Sequence, residues 1–256
     1  YLAALEKAGV KPREHFGLQK LKAVLSTGSP LPDESFDYIY RDIKADVCLS
    51  SIAGGTDLNG CFVAGNPIGP VYRGEIQKRC LGMDVRAFDE AGSEVIGETG
   101  ELVCIQAFPS MPIFFWGDED GSAYHSAYFE TYPGIWRHGD FIEINERGGV
   151  RMLGRSDATL NPGGVRIGTA ELYRQVEPLD EVDDALVIGQ QWEDDVRVIL
   201  FVKMKPGHEL TDGLKGRIRK AIRTNCSPRH VPAKIIQVAD IPYTISMKKV
   251  EIAVRN

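Results

Sequence analysis

The sequence predicts a mixed fold of the α/β and α+β classes, in which an α/β segment precedes an antiparallel β segment and a small α+β domain. Three successive patterns in the 256 residues support this order. A helical stretch lies between two apolar strands near the start, which is typical of a parallel sheet. From about residue 74, short strands alternate with turns. After Asp157 helices and strands are mixed again, so we predict domains at 1–156 and 157–256.

The α/β segment covers about 1–70. Its apolar and amphipathic stretches predict, in order, a helix at 1–9, a strand at 21–26, a helix at 33–43 and a strand at 46–52. Pro32 precedes the second helix, a place where proline favours a helix start. Because this helix joins two apolar strands, we expect the strands to pair in parallel.

The antiparallel segment covers about 71–156, and we expect a small barrel or a curled sheet. Short runs predict strands at 75–80, 83–88, 100–106, 111–115, 141–144 and 150–153, and the turn-rich run Asn145–Gly149 predicts a hairpin between the last two. In the final domain we predict a helix at 169–176, strands at 182–189 and 196–204, a basic helix at 212–223, a strand at 234–238 and a short helix near the end.

The composition limits the possible functions. Apolar residues make up 43% and charged residues 26%, with a formal net charge of -6. This balance gives no support for binding nucleic acid or an anionic membrane, and no apolar run reaches the ~18 residues of a membrane span. The five cysteines are scattered without a C-x-x-C motif, so we expect reduced thiols in the cytoplasm. Tyr1 is not an initiator, so we expect a longer polypeptide that includes an N-terminal part.

Two small-residue loops follow the first two predicted strands. Gly28, Ser29 and Pro30 stand where ligands bind in α/β proteins, and an ordinary strand-to-helix connection is the alternative interpretation. In the second loop, Thr56 and Asp57 offer a hydroxyl and a carboxylate that suit a ribose, a phosphate or Mg²⁺. A helix N-cap is the alternative interpretation of the second loop.

Further candidates come later in the chain. Asp140 could accept hydrogen bonds from ribose hydroxyls, or it could bind its own turn; nearby His138 fits packing better than base catalysis. Between Gly154 and Glu171, a short run combines forked arginine donors with glycines that permit close approach to a ligand, and its candidates are Arg155, Asp157, Gly164 and Arg166.

Basic residues near the C-terminus form two more groups. Lys248 and Lys249 follow Pro242 on a loop from which a lysine could reach a phosphate or a carboxylate. Arg217 and Arg219 lie on the predicted basic helix and could contact a nucleotide phosphate. A solvated basic surface is the alternative for both groups.

Four of these motifs, in this order, resemble the C-terminal part of the adenylate-forming acyl-CoA synthetase superfamily. The resemblance covers essentially the whole chain and is carried by Gly154–Asp157 with Leu160–Glu171, by Tyr132–Asp140 and by Pro242–Lys248. It implies that a carboxylate attacks ATP, with Mg²⁺, to give an acyl-adenylate and pyrophosphate. The small domain then turns about a hinge, and the thiol of CoA displaces AMP. Within the superfamily, the branch that uses acetoacetate is the most similar.

The resemblance also implies roles for the candidates. Those for ATP or AMP are Gly28, Ser29 and Pro30 at adenine, Thr56 and Arg166 at phosphate, and Asp140 and Arg155 at ribose. Those for other functions are Asp57 at Mg²⁺, Asp157 at the hinge, Gly164, Arg217 and Arg219 at CoA, and Lys248 in adenylation. Ala53 and Gly54 are assigned to the acyl pocket, because acetate-specific relatives carry tryptophan at the position that Ala53 occupies.

The chain departs from the superfamily pattern in three ways. Asp57 replaces the usual glutamate, and Met247 replaces a glycine before Lys248, which leaves Lys249 as an alternative active lysine. The Gly/Ser/Thr-rich phosphate loop is absent from these residues, so we expect no overall catalysis by this chain alone. Alternative functions are ligation of another short or medium-chain acid, loading of a carrier protein, and nucleotide binding without catalysis.

Overall fold

Two units make up the chain, Tyr1–Met152 and Leu153–Asn256. Both are described from a computed structural model, which covers residues 1–158, 160–162, 167–193, 195–245 and 248–255. Each unit has its own apolar cores.

The first unit begins with the predicted α/β segment. Its elements are α1 (Leu2–Lys7), α2 (Pro12–His15), β1 (Ala23–Ser26), α3 (Asp33–Tyr38) with a π-helical turn at Ile39–Ile43, and β2 (Cys48–Ser51). The parallel pairing of β1 with β2 is confirmed, with Ala23 opposite Cys48 and Ser26 opposite Ser51. Phe36, Tyr38, Ile39 and Leu49 are among the buried residues of this core. Leu25 on β1 remains 68% exposed.

Two antiparallel sheets follow, and the last strand of the larger one begins in the first unit and ends at Arg155, in the second. The smaller sheet contains β3 (Ala53–Gly55), β4 (Gly60–Ala64) and β5 (Lys78–Arg79). The larger sheet has the order β6 (Val85–Phe88), β7 (Thr99–Cys104), β8 (Trp136–Ile144) and β9 (Val150–Arg155). β6 and β9 are at its edges, and Val150 of β9 forms an isolated antiparallel bridge with Ile76. A helix, α4 (Ser122–Tyr128), lies between β7 and β8 in sequence.

Several predicted elements in this region differ from the structure. The predicted strand at 111–115 is wrong: this stretch has no regular structure, because Pro112 lacks the N–H that a strand ladder uses. The strand at 75–80 is reduced to β5 and an isolated bridge between Ile76 and Val150. The short β3 and β4, and also α4, were not predicted. Asp118 starts α4 by accepting from the backbone N–H groups of Ala123 and Tyr124 at 3.0 and 2.8 Å.

The second unit is an α+β unit, as predicted. Its elements are α5 (Thr169–Val176), β10 (Val182–Trp192), β11 (Asp195–Met204), α6 (Asp212–Asn225), a 3₁₀ turn (Pro228–His230), β12 (Lys234–Val238) and α7 (Glu251–Arg255). The central β11 is antiparallel to β10 and parallel to β12.

The sheet of the second unit is covered on both faces. Alternate residues of a strand point to opposite faces, so Val187 joins one core with Leu172 of α5 and Ile218 of α6. Neighbouring Ile188 joins another core with Ile241. On α6, the buried residues Leu214, Ile218 and Ile222 recur every fourth position, which explains why this helix was predictable.

The described part of the chain contains no helix with the length and apolar character needed to cross a membrane.

Candidate active site

Both predicted small-residue segments follow the same edge of the β1–β2 sheet, although the second is strand β3 up to Gly55 and a turn at Thr56 and Asp57. Ser26 at the end of β1 pairs with Ser51 at the end of β2. The ladder continues one residue further, because the Ile52 N–H donates to the Ser26 carbonyl at 2.9 Å. The carboxyl ends of parallel strands are a preferred place for ligands. The structure therefore brings the segments after residues 26 and 51 to one edge.

The loop after β1 is open at its glycine. Gly28 has a φ of +97°, a left-handed conformation that favours glycine, and a Cβ at this position would contact nothing within 4 Å. Ser29 is exposed and Pro30 is half-buried. A ligand could therefore approach the backbone at Gly28 and Ser29 closely.

The glycine at position 54 is explained by strand packing. A Cβ on Gly54 would lie 2.0 Å from the carbonyl oxygen of Gly60 and 2.6 Å from the Cα of Cys61 on the adjacent β4. The neighbouring Ala53 is half-buried and packs against the core that contains Phe62.

Two of the predicted carboxylates, Asp57 and Asp140, each lie near the buried side chain of His138. The Oδ2 atom of Asp57 accepts a hydrogen bond from the Tyr128 hydroxyl at 2.6 Å. A Cβ on Gly55 would lie 1.9 Å from the Oδ1 atom of Asp57 and 3.0 Å from the Cε1 atom of His138. The Nε2 atom of His138 is 3.5 Å from the Oδ2 atom of Asp140. We call Asp57, His138 and Asp140 the carboxylate cluster; Thr56 is exposed beside it.

His138 packs within the unit. Its ring meets the ring of Phe62 edge-on, with the centroids 4.8 Å apart, and the residue is buried. The neighbouring backbone is held by Glu101, whose Oε1 atom accepts from the Gly139 N–H at 3.0 Å. The Oε2 atom of Glu101 lies 3.3 Å from the Arg137 guanidinium.

Sequence reasoning missed Tyr128 and Glu101. Glu101 could have been noticed as a carboxylate inside an apolar strand. Tyr128 stacks on Trp136 with the ring centroids 3.5 Å apart, and Tyr124, four residues earlier, joins the same aromatic group. Aromatic residues spaced by four on one helix face were the available signal for α4.

In the second unit, Arg155 and Asp157 bind each other. The guanidinium donates from Nη2 to Oδ2 at 2.9 Å and from Nε to Oδ1 at 3.2 Å, and both side chains are exposed. An exposed pair of this kind contributes at most about 1 kcal/mol to stability. The carbonyl of Asp157 also accepts from Arg255 at 3.3 Å. Gly164 and Arg166 lie outside the described residues.

The start of α5 is held in place by Glu171. Its carboxylate accepts from the Gly168 N–H at 3.0 Å and lies 3.3 Å from the Nε2 atom of His230. The Nδ1 atom of His230 is 2.8 Å from the Ser227 hydroxyl. Burial by itself would raise the pKa of Glu171, but the bonds from His230 and Gly168 outweigh burial and lower it.

The two candidate lysines differ in exposure. We call residues 243–245 together with 248 and 249 the lysine hairpin, because Tyr243 and Lys249 form an antiparallel bridge. Lys248 is exposed, and its ammonium contacts no carboxylate within the described ranges. The side chain of Lys249 is only 15% exposed and is paired with Glu177 and Asp184. This difference favours Lys248 as the mobile cation.

The structure does not place Arg217 and Arg219 on one face. They are two residues apart on α6, which separates their directions by about 200° at 3.6 residues per turn. Arg217 forms an ion pair with Glu181 and lowers the pKa of that carboxyl. Arg219 is half-buried.

Comparison with known proteins gives close relatives for the whole chain. No protein-family model matches it. It is 57% identical to the acetoacetyl-coenzyme A synthetase of Rhizobium meliloti over 256 residues, which is 100% of this chain and 39% of that protein. The acetoacetyl-CoA synthetase of Xenopus tropicalis is 53% identical over 258 residues, with 100% and 38% covered. The chain thus spans about two fifths of the length of these relatives.

Solved structures agree with this likeness. The acetoacetyl-CoA synthetase from Streptomyces lividans matches with a TM-score of 0.91 and 45% identity, over 99% of this chain and 39% of that one. An anthranilate CoA ligase in complex with anthranoyl-AMP matches with a TM-score of 0.79 and 20% identity, over 99% of this chain and 47% of that one. The second match supports the fold alone.

Proposed function

From the premise that this chain is a homologue of the acetoacetyl-CoA synthetases with the adenylate-forming fold, we propose that it takes part in the ATP-dependent ligation of acetoacetate to CoA. The observation that carries the proposal is the 57% identity over all 256 residues. The open Gly28 loop, the carboxylate cluster and the exposed Lys248 agree with it, because they offer groups for a nucleotide and its phosphates.

The proposed reaction has two steps. A carboxylate oxygen of acetoacetate attacks the α-phosphorus of ATP, the bond to the β-phosphate oxygen breaks, and pyrophosphate leaves. The CoA sulfur then attacks the acyl carbon, AMP leaves, and the thiol proton passes to solvent. Negative charge grows around phosphorus in the first step, so a cationic side chain held there lowers the barrier. No covalent enzyme intermediate is required.

Each unit supplies different groups in this proposal. In the first unit, the Gly28–Pro30 backbone contacts adenine, Asp140 accepts from the ribose hydroxyls, and Thr56 donates to a phosphate. In the second unit, Lys248 approaches the α-phosphate, and Asp157 acts as the hinge. The other proposed contacts are Arg155 and Arg166 to AMP, and Gly164, Arg217 and Arg219 to CoA.

Asp57 fits the role of a magnesium ligand. Mg²⁺ typically takes one or two carboxylates and completes its shell with phosphate oxygens and waters. Asp57 is exposed, and its Oδ2 atom is oriented by Tyr128. In the described part of the chain, no group of three or more His, Cys, Asp or Glu side chains could hold a metal. ATP would therefore supply most of the ligands, and the ion would add positive charge beside the phosphates.

We infer a cytoplasmic location from the thiols. All five cysteines are free, and burial raises the pKa values of Cys61, Cys80 and Cys104. Buried thiols with raised pKa values react slowly. Unpaired cysteines in this number are typical of a reducing compartment.

A test of the proposed activity needs the part of the relatives' sequence that has no counterpart in this chain. We define the joined enzyme as this chain fused to the N-terminal remainder of the Rhizobium meliloti relative. With ATP, Mg²⁺ and CoA, we expect it to release pyrophosphate and AMP and to form acetoacetyl-CoA when acetoacetate is added. Lys248→Ala should lower adenylation by about 100-fold or more, because a charge-stabilising group is lost.

The controls separate the alternatives. Turnover with another short or medium-chain acid, and none with acetoacetate, would identify a different acyl-CoA synthetase. Binding of AMP without turnover of any acid would identify a nucleotide-binding remnant. The 256-residue chain assayed by itself should show no acetoacetate-dependent exchange between ATP and pyrophosphate, since its sequence contains no Gly/Ser/Thr-rich phosphate loop.

A further inference from the structure

The ammonium of Lys249 lies in a site lined by oxygen atoms and an aromatic ring. It contacts a carboxylate oxygen of Glu177, the Oδ1 atom of Asp184 at 2.9 Å and the carbonyl oxygen of Ala185 at 2.5 Å. It also lies 4.0 Å from the centroid of the Tyr173 ring, a cation–π distance. With its side chain 15% exposed, Lys249 is held by four partners at once.

The carboxylates around Lys249 depend on its charge. The side chains of Glu177 and Asp184 are 30% and 19% exposed, and both meet the same ammonium. Removing that ammonium would leave two partly buried anions facing each other, which is strongly unfavourable. The site is therefore built for a cation at residue 249.

Asp184 also holds the other end of the lysine hairpin. Its Oδ2 atom accepts from the Tyr243 hydroxyl at 2.6 Å. Burial, aided by this hydrogen bond, raises the pKa of Tyr243, so the phenol stays protonated and can donate. Tyr243 and Lys249, the two bridge partners of the hairpin, are thus tied to one carboxylate on β10.

Within the hairpin, the backbone next to Lys248 is fixed. The Thr244 N–H donates to the Lys248 carbonyl at 2.9 Å, and the Lys248 N–H donates to the Thr244 hydroxyl at 3.0 Å. In an extended strand, neighbouring side chains point to opposite sides. Burying Lys249 against Asp184 therefore turns Lys248 toward solvent.

Tyr173 connects Lys249 of the lysine hairpin to α7 and β10. Its hydroxyl donates to Glu251, the first residue of α7, at 2.9 Å and accepts from the Val187 N–H at 3.2 Å. The same ring carries the Lys249 ammonium on its face. The chain on both sides of residues 248 and 249 is consequently fastened to α5 and β10.

We propose that Lys249 is a positioning residue for the adenylation step: its ion pairs with Glu177 and Asp184 fix the lysine hairpin so that Lys248 is presented to the α-phosphate of ATP. This inference rests on the proposed function, in which Lys248 is the adenylating lysine. Lys249 itself acts through Lys248 and does not touch the reacting atoms.

The first test uses the 256-residue chain. Lys249→Met keeps the length of the side chain but removes its charge, so the backbone amides of Thr244 and Lys248 should exchange hydrogen about tenfold faster. Lys203→Met is the matched control, because Lys203 also meets two carboxylates, Asp183 at 3.2 Å and Asp240 at 3.1 Å, outside the hairpin. Unchanged exchange at both amides in Lys249→Met would overturn the proposal.

The second test separates the half-reactions in the joined enzyme. Lys249→Met should lower kcat for adenylation by about 100-fold, since small displacements of a catalytic group have effects of this size. The KM for ATP and the rate of CoA attack on supplied acetoacetyl-adenylate should stay within about twofold, because Lys248 serves the first step alone. Lys249→Arg should restore part of the adenylation rate. An equal loss in both half-reactions would indicate a general structural role and overturn the proposal.

The Lys248→Ala variant distinguishes a failure of the proposed role of Lys248 from a failure of the positioning role of Lys249. If Lys248→Ala adenylates normally, the proposed role of Lys248 fails, and the role of Lys249 fails with it. If Lys248→Ala is inactive in adenylation while Lys249→Met matches the parent enzyme, the positioning role alone fails.

Discussion

Ala53 is the residue on which the choice of acyl substrate rests in the proposed function. It lies on β3 and packs against the core around Phe62. In the joined enzyme, Ala53→Trp should favour acetate over acetoacetate in kcat/KM, because the indole fills the space that the larger acid needs. Ala53→Val should give an intermediate ratio. Initial rates with the two acids measure the ratio of kcat/KM for acetate to kcat/KM for acetoacetate. An unchanged kcat/KM for acetoacetate in folded Ala53→Trp would contradict the assignment of Ala53 to the acyl pocket.

Tyr128 orients the proposed magnesium ligand. Tyr128→Phe removes the hydroxyl that donates to Asp57 at 2.6 Å. In the joined enzyme, we expect the Mg²⁺ concentration for half-maximal pyrophosphate release to rise by about tenfold, as for other groups that orient a metal ligand.

A second tyrosine provides the control for this prediction. Tyr124 belongs to the same aromatic group, but its hydroxyl donates to the carbonyl of Pro112 at 2.5 Å. Tyr124→Phe should leave the Mg²⁺ requirement unchanged. Equal shifts in both variants would mean that Tyr128 acts through ring packing and not through Asp57.

At the residue scale, the sequence motifs predicted which residues belong to the candidate site better than which side chains bind them. Asp57 and Asp140 were singled out from local patterns, and the structure places both beside His138. The Tyr128 partner of Asp57 was not predictable, because it comes from a distant helix that the pattern did not reveal. Which of Lys248 and Lys249 is exposed was also not predictable, since it depends on where Glu177 and Asp184 lie in three dimensions.

At the element scale, the start of α5 depends on the ionised form of Glu171. The pKa of this carboxyl in the folded chain is below its usual value of 4.5. A lowered folded pKa means that the stabilisation is present above the unfolded pKa and is lost as the pH falls through the folded one. Between about pH 5 and pH 3, the free energy of unfolding should therefore fall more for the parent chain than for Glu171→Gln.

Urea unfolding of the 256-residue chain at several pH values would measure this difference. Glu181→Gln is a suitable control: Arg217 lowers the pKa of Glu181 too, but the arginine of that pair is exposed, whereas the His230 partner of Glu171 is buried. Its effect on the pH dependence should be smaller, because solvent screens surface pairs. Parallel curves for the parent chain and Glu171→Gln would contradict the anchoring role of Glu171.

Elements with a strong repeating pattern were the predictable ones. The bounds of α5 and β12 agree with the sequence prediction, because their apolar residues follow helix and strand periods. The bulky apolar residues of the stretch 111–115 are typical of strands, but Pro112 interrupts the ladder there. The three-residue β3 is too short to give a pattern, and Gly54 in it is required by the closeness of β4.

At the scale of the whole molecule, each apolar core formed by the described residues is confined to one unit. In the second unit, the main core draws on α5, α6 and all three strands. Residues 153–256 made as a separate polypeptide should therefore fold cooperatively, because the core that stabilises them is complete. A single sigmoidal urea transition and slow hydrogen exchange in β11 would support this. A fragment without slowly exchanging amides would show that the unit needs the rest of the chain.

The open pair β1–β2 has a consequence for how the 256-residue chain behaves in concentrated solution. A parallel sheet is ordinarily shielded on both sides, yet Leu25 here is 68% exposed on a pair that no third strand joins within the described ranges. An uncovered strand edge of this kind favours association between chains as the protein concentration increases. Turbidity should then grow with protein concentration. Leu25→Lys should suppress it, because the introduced charges of neighbouring chains would repel one another along that strand edge.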